Sequence, residues 1–336
     1  MVVDTNFYMN LALTEAWKYQ GLTYPNPAVG CVILGQDNVL LAIEAHKKAG
    51  EAHAEVLALQ VAYASLSENK EILNLSKSSD IHNYLLQNHN NIFNNISLFT
   101  TLEPCSHLGR TPSCALLISQ MGIKKVYVGS LDTNKVALGG NKILEQNNIF
   151  VQNSILKKEC DDLVFPFKSW QKKNFVFFKW AQRLNGTTDG GAISSSETRV
   201  LTHSMRDVCD LLVIGGNTVR IDRPTLDARD VKGKAPDILI YSKQKNFDKS
   251  IALFNVKNRK VIISHTLDEI SNYKNIMIEG SSKMFALTLD ITDYYLSYIS
   301  PSFGGDKGFS KIDEKFQILN VQKEEKDIIM WIKRDI

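Results

Sequence analysis

The sequence predicts an α/β protein of two domains, and three observations carry that prediction. Its 336 residues exceed what one hydrophobic core normally organises. Apolar runs of strand length alternate with helix-period segments through both halves. Between the halves lies a charge run (Lys157, Lys158, Glu159, Asp161, Asp162, then Lys172-Lys173-Asn174) that reads as a solvated helix and linker. The expected division is residues 1–153, a linker over 154–174, and residues 175–336.

The elements follow in order. Thr5 is placed to cap a first helix in which Met9, Ala12, Leu13, Ala16 and Trp17 recur at helical spacing. After the turn Thr23-Tyr24-Pro25-Asn26-Pro27, the run Ala28 to Leu34 has strand length. Val39 to Ala45 reads as its hairpin partner across a polar turn. A helix starts near His53 and continues through Val56, Leu57, Gln60, Val61 and Ala64. The polar, Asn-rich stretch 65–95 is read as a helix plus loops. Ile96 to Thr101 is a strand, Cys114 to Met121 a helix stopped by Gly122, and Lys125 to Ser130 a strand. Asn141 to Asn147 and Ile149 to Gln152 close the unit as helix and strand. This alternation predicts a largely parallel sheet covered on both faces. In the second half, strands are expected at 175–180, 210–214, 237–241, 260–264, 275–278 and 293–299. A C-terminal pair follows within 316–332, and no repeat of fixed period is present.

Composition narrows the function. A hydrophobic fraction of 44% and a charged fraction of 22% exclude dominant disorder. The net charge of +3 provides no sustained field for a nucleic-acid backbone. No apolar run approaches the roughly 20 residues of a membrane helix. Asp4, Asn6, Asn10 and Glu15 interrupt what would be the core of a signal peptide. Five cysteines, an odd number spread thinly, argue against a disulfide framework and for a reducing compartment. These features describe a cytoplasmic enzyme with no membrane or nucleic-acid partner; a homo-oligomer is compatible with them.

The first chemical constellation is His53-Ala54-Glu55, Pro104-Cys105 and Cys114. Two thiolates and an imidazole make a three-ligand set for a catalytic zinc, one per chain, leaving the fourth position for water. Cys114 opens a helix, where unpaired N–H groups favour a thiolate. His53 begins another, where the same positive end keeps the ring neutral. Glu55 reaches the water without being a ligand and serves as proton carrier. A His-x-Glu with Pro-Cys is the signature of zinc deaminases acting on nucleobases. Here eight residues separate Cys105 from Cys114, where the common pattern has two. His107 offers itself as a fourth ligand, which would make the zinc a folding staple instead.

The long Cys-to-Cys run Thr101-Leu102-Glu103-Pro104-Cys105-Ser106-His107-Leu108-Gly109-Arg110-Thr111-Pro112-Ser113-Cys114 resembles the deaminase half of the bifunctional riboflavin-biosynthesis deaminase/reductase family. So do Pro25 to Ile33 and Gly50 to Glu55. The resemblance implies a cytidine-deaminase-like three-layer domain, with His53, Cys105 and Cys114 on zinc and Glu55 as proton donor. It implies hydrolytic deamination of a phosphorylated ribosylaminopyrimidine, with Asn26, His107 and Arg110 as substrate contacts.

The second half has no Gly-x-Gly-x-x-Gly after its first strand. It has Leu211 to Ile214 running into Gly215-Gly216, and Ile278-Glu279-Gly280-Ser281 before a helix from Met284 to Leu289. Glycines at strand ends permit close approach of a cofactor, and helix-start N–H groups can receive phosphate. Lys179 to Gly186, Arg206, Thr218 to Arg229, and Asp293 to Pro301 with Gly304-Gly305 resemble the reductase half of the same family. That resemblance implies a dihydrofolate-reductase-like domain using NADPH to reduce the ribosyl chain to ribityl. Cofactor positions fall at Ala181, Val200, Thr218, Asp222 and the run Ser281, Ser282, Lys283, Met284, Phe285, Ala286, Leu287. Substrate positions fall at Lys179, Thr198, Arg206, Leu226, Arg229 and Glu279. Arginines suit a phosphate because their bidentate charge is permanent. Three departures stand out: the family's Asp-Gly-Arg is Asn185-Gly186-Thr187, an aromatic cofactor contact is Val200, and the second glycine of Glu-Gly-Gly is Ser281. The helix before Arg206 also reads as several residues short. The alternative is a deaminase whose second domain is a degenerate reductase kept as a scaffold or dimer surface.

Overall fold

The computed structural model describes residues 3–107, 112–134, 139–309 and 312–335. The chain divides into two compact units, Met1–Gln171 and Lys172–Ile336.

The first unit runs α1 (Thr5–Trp17), β1 (Gly30–Leu34), β2 (Leu40–Ala45), α2 (Ala54–Leu66), α3 (Ser78–Asn88), β3 (Ser97–Leu102), α4 (Cys114–Gln120), β4 (Lys125–Ser130), α5 (Gly140–Gln146), β5 (Phe150–Gln152) and α6 (Lys157–Trp170). The cap of α1 is Asp4, whose Oδ1 accepts the Phe7 N–H at 3.0 Å; Thr5 already lies inside the helix. The sheet order is β2-β1-β3-β4-β5. Only the β3–β4 and β4–β5 pairs are parallel, so the largely parallel sheet expected from the alternation is half antiparallel. A turn as short as 35–38 can only return its strand antiparallel. Helices α1 and α6 contact each other, while α2, α3, α4 and α5 form a second chain of contacts. Two helical layers therefore sandwich the sheet.

The stretch expected as a solvated helix and linker contains α6, which is packed instead of solvated. Its charges crowd the first turns, but Cys160, Leu163, Val164 and Pro166 are buried, and the helix packs on α1, β3 and β4. Asp161 ties it to the sheet, accepting from Ser130 Oγ at 2.6 Å and Lys168 Nζ at 2.7 Å, with Lys157 as a third partner. Burial pushes the Asp161 carboxyl up, but these partners outweigh it and hold its pKa at about 2.

The second unit comprises β6 (Phe175–Arg183), α7 (Ser196–Val208), β7 (Leu211–Gly215), α8 (Gly216–Asp222), β8 (Asp237–Tyr241), β9 (Val261–Ser264), β10 (Asn275–Glu279), α9 (Ser282–Thr288), β11 (Tyr294–Ser300), β12 (Phe316–Glu324) and β13 (Asp327–Arg334). Its sheet runs β12-β13-β11-β6-β10-β7-β8-β9. Six parallel strands are extended by an antiparallel hairpin. The parallel strands aim their carboxyl ends at one rim, where α/β sheets carry their ligands. Aromatic rings fill the core beneath it: Phe285 meets Tyr295 at 4.9 Å and Phe178 at 5.2 Å between centroids.

Candidate active sites

In the first unit, two helix starts and one strand end converge. His53 is the N-cap residue of α2, its backbone extended (φ −72°, ψ 161°), and Glu55 occupies the first turn. Cys105 follows β3, and Cys114 is the first residue of α4. Cys105 is tied directly to the start of α4. Ser113 Oγ donates to the Cys105 carbonyl at 2.8 Å, and the Ala115 N–H reaches the same oxygen at 3.1 Å. Gly140 makes room for the backbone just before Cys105: a Cβ there would lie 1.8 Å from the Pro104 carbonyl oxygen.

His53 Nδ1 lies 3.7 Å from Cys105 Sγ and 3.4 Å from Cys114 Sγ. Ligands about 2.0 and 2.3 Å from one tetrahedral ion would stand about 3.5 Å apart, so the donor set fits zinc. Among the described residues, the metal-capable group here is His53, Cys105 and Cys114, with no fourth side chain. His107 lines the neighbouring cavity but is not part of the group, and its buried Nδ1 has no hydrogen-bond partner. The staple reading thus loses its fourth ligand.

The electrostatics suit a metal and a proton carrier. A hydrogen bond from Cys114, with His53 beside it, pulls Cys105 down to about 4 against the effect of burial. Cys114, as donor in that bond and buried, is pushed up. Burial raises the Glu55 carboxyl to about 7, and the nearby His53 only partly offsets this. A group poised near neutrality can both take and return a proton.

A cavity of about 280 Å³ opens beside these groups. Asn26, His53, Glu55, Cys105 and His107 line it, and so do His46, Glu103, Asp132, Asn134 and Phe167. Arg110 lies outside the described residues. His46, absent from the sequence expectations, donates from Nδ1 to the Ala52 carbonyl at 3.1 Å, so Nε2 accepts from Asn26 Nδ2 at 3.2 Å. Burial lowers its pKa to about 4, which keeps this tautomer neutral. No spacing in the sequence points to His46, because its approach to Asn26 depends on the β1–β2 pairing. Glu103 lies in the motif before Cys105, and nothing in the sequence assigns it a partner. Its carboxylate accepts backbone N–H groups from Asp132 (3.2 Å), Gly139 (3.2 Å) and Asn141 (3.1 Å). It thereby fastens the loop that presents Asp132 and Asn134.

At the rim of the second sheet, Lys179 on β6 stands in register with Glu279 on β10. Arg206, from the last turn of α7, grips Glu279 with Nε and Nη2, both at 2.9 Å. The helix that carries Arg206 has 13 residues. Burial lowers the Lys179 pKa, opposed by Glu279, and Nζ sits 4.6 Å from the Tyr298 ring centre. Burial would raise Glu279, but Arg206 and Lys179 hold it down.

The other expected positions divide. Val200, Asp222, Ser281, Lys283, Ala286 and Leu287 are exposed, and Ala181, Thr218 and Ser282 are half-buried. Met284 and Phe285 point into the core. Thr198 is fully buried, its Oγ1 donating to Asp327 at 2.7 Å. Leu226 is also buried, whereas Arg229 is exposed and pairs with Asp227 at 2.8 Å. In place of the family's Asp-Gly-Arg, Asn185 Nδ2 and Thr187 Oγ1 both donate to the Gly304 carbonyl.

A zinc-type centre in a three-layer unit, followed by a mostly parallel α/β unit with a charged rim, defines a two-domain deaminase and reductase. The comparisons agree. The family model for the cytidine and deoxycytidylate deaminase zinc-binding region matches residues 3–130, and the model for the RibD C-terminal domain matches residues 175–325. The riboflavin biosynthesis protein RibD of Aquifex aeolicus is 29% identical, with 99% of each chain covered. That of Synechocystis is 30% identical over 83% of this chain and 71% of its own length. The crystal structure of the diaminohydroxyphosphoribosylaminopyrimidine deaminase/5-amino-6-(5-phosphoribosylamino)uracil reductase of Thermotoga maritima is 25% identical and covers 98% of both chains, with a TM-score of 0.65. The chain belongs to the family of the riboflavin biosynthesis protein RibD, and both expected fold halves, deaminase-like and reductase-like, are present. Among the described residues, no helix is long and apolar enough to cross a membrane.

Proposed function

We propose that the first unit hydrolytically deaminates a diaminohydroxy-phosphoribosylaminopyrimidine, and that the second reduces the ribosyl chain of the product to ribityl with NADPH. The observation that carries the first half is the buried Glu55 carboxyl, raised to about 7, beside three metal-capable side chains in one cavity. His53 through Nδ1, Cys105 and Cys114 would hold zinc, which when bound supplies a Lewis acid that lowers the pKa of water. Glu55 takes a proton from the attacking water and returns it to the leaving amine. Asn26, oriented by His46, and His107 face the pyrimidine, and Arg110 serves its phosphate.

In the second unit, the open strand end supports a cofactor position. A Cβ built at Gly215 would meet only Thr218 Oγ1, at 3.9 Å. Ser281 makes no cap bond to its own helix, and Lys283 is exposed beside it, so a hydroxyl and a cation are on hand for a dinucleotide phosphate. Ala181, Val200, Thr218, Asp222, Ser282, Ala286 and Leu287 complete that side, with Met284 and Phe285 acting through backbone. Lys179, Arg206 and Glu279 would line the substrate side together with Arg229. Opening the ribose adds hydride at its anomeric carbon and a proton at the ring oxygen; Lys179 Nζ can hold that proton. A net charge of +3 and five free thiols fit a small-molecule enzyme of a reducing compartment without a nucleic-acid partner.

The test is to incubate the protein with the diaminopyrimidine and NADPH and follow both products. Glu55→Gln should keep its zinc and lose deamination by about 10²–10⁴-fold, while reduction of pre-deaminated substrate continues. Undiminished deamination would remove Glu55 from the mechanism.

A further inference from the structure

The segment from Pro224 to Val231 holds its shape through groups outside it. Leu226 has φ +54°, in the left-handed region that branched side chains rarely occupy. Its side chain is buried, so at this turn Leu226 offers its backbone, and its neighbours Asp227 and Arg229 supply the charged side chains. Arg259, just ahead of β9, reaches across to this turn. Its Nη1 donates to the Leu226 carbonyl at 2.7 Å, and Nη2 to those of Thr225 at 2.7 Å and Leu253 at 2.6 Å. The Leu253 N–H returns to the Pro224 carbonyl at 3.1 Å. On the other side, Arg206 Nη1 donates to the Asp227 carbonyl at 3.4 Å, and the Asp230 N–H to His203 Nδ1 at 3.3 Å.

We infer that Arg259 is a positioning residue for the reductase substrate, its planar fork holding the Thr225 and Leu226 carbonyls so that the left-handed turn persists and sets where Asp227 and Arg229 stand. This rests on the reading of the second unit as an NADPH-dependent reductase. Strained backbone persists only where its surroundings over-determine it. Three carbonyls at fixed angles need a rigid set of donors, which guanidinium provides and ammonium does not. Without that fork, Leu226 relaxes to an ordinary backbone region and carries Asp227 and Arg229 with it. Arg259 itself touches no reacting atom in this scheme.

The experiment measures NADPH oxidation with the deaminated ribosylaminopyrimidine phosphate in wild type, Arg259→Gln, Arg259→Lys and Arg259→Gln/Leu226→Gly. In Arg259→Gln, KM for the pyrimidine should rise by about tenfold, equivalent to about 1.4 kcal/mol, while KM for NADPH is unchanged. Glycine enters the left-handed region freely, so adding Leu226→Gly should bring the pyrimidine KM back towards wild type. A purely structural Arg259 predicts the reverse, since the second change also removes a buried leucine. An unchanged pyrimidine KM in Arg259→Gln, or no recovery in the double variant, overturns the inference. Should Arg259→Gln not fold, Arg259→Lys carries the test, and an unchanged pyrimidine KM there overturns it equally. Wild-type protein that oxidises no NADPH with this substrate refutes the reductase reading itself, a distinct result.

Discussion

Replacing Arg206 with methionine should cut deeply into the stability of the second unit and leave the first untouched. The Arg206 and Glu279 side chains are 11% and 16% exposed, and two charge-assisted hydrogen bonds of 2.9 Å join them. At about 1.5–3 kcal/mol for each such bond, the loss brackets the roughly 3–5 kcal/mol typical of stranding one partner of a buried pair. Spread over a unit of this size, at about 2–4 °C per kcal/mol, the melting temperature should fall by about 6–20 °C. Calorimetry reads it directly, with the endotherm of the first unit as internal reference. Glu279 would keep Lys179, and His203 only where that ring is protonated, so at neutral pH burial would push its carboxyl up. A group whose folded pKa is raised costs stability above its unfolded pKa and recovers it as pH falls. The deficit of Arg206→Met should therefore shrink towards pH 4. Adding Glu279→Gln removes the stranded charge and should recover more than about 1 kcal/mol. Losses that simply add in the double variant, or a single-variant shift below about 3 °C, would refute the pairing argument.

Three other outcomes are expected. Cys105→Ser and Cys114→Ser should each release zinc, read by metal analysis of the purified protein; unchanged metal content in both would disprove the ligand set. Glu103→Gln replaces one of two accepting oxygens with a donor facing a backbone N–H, costing about 1.5–3 kcal/mol. It should also raise KM for deamination, because Asp132 and Asn134 line the cavity; the same melting point and KM as wild type would show that the loop is held otherwise. Asp161 has a depressed folded pKa of about 2 against an ordinary value of about 3.9. Its contribution is present above about pH 4 and lost as pH falls towards 2. Asp161→Asn should therefore melt below wild type at pH 7 and alongside it near pH 2, and a gap that persists at acid pH would contradict this.

Much of this could be read from the residues in order. Apolar runs bounded by turn residues locate the strands of both sheets because burial forces that pattern on the chain. His53, Glu55, Cys105 and Cys114 stood out because zinc chemistry restricts residue type and helix-start placement together. What escaped depends on partners distant in sequence. The direction of β3 relative to β1 is settled by a connection of more than sixty residues, which carries no local signal. Asp4 and Thr5 are equally able caps one residue apart. Leu226 gives no sign of a left-handed backbone, since no glycine or asparagine marks the turn; the distant Arg259 supports it. In α6 the surface charges concealed an apolar face at helical spacing, formed by Cys160, Leu163 and Val164.

Helix α6 also bears on how such a protein could be dissected or recombined. Phe167 comes from this helix and forms part of the cavity wall beside His53 and Glu55, and Trp170 packs against Tyr24 with centroids 4.7 Å apart. A gene fragment ending at residue 153 would encode all three metal-capable side chains and the proposed proton carrier Glu55, yet its product would have a chamber missing one side and a bared patch around α1. The smallest transplantable deaminase module extends to Gln171, and a fusion of either unit to a foreign partner has to be spliced beyond that point.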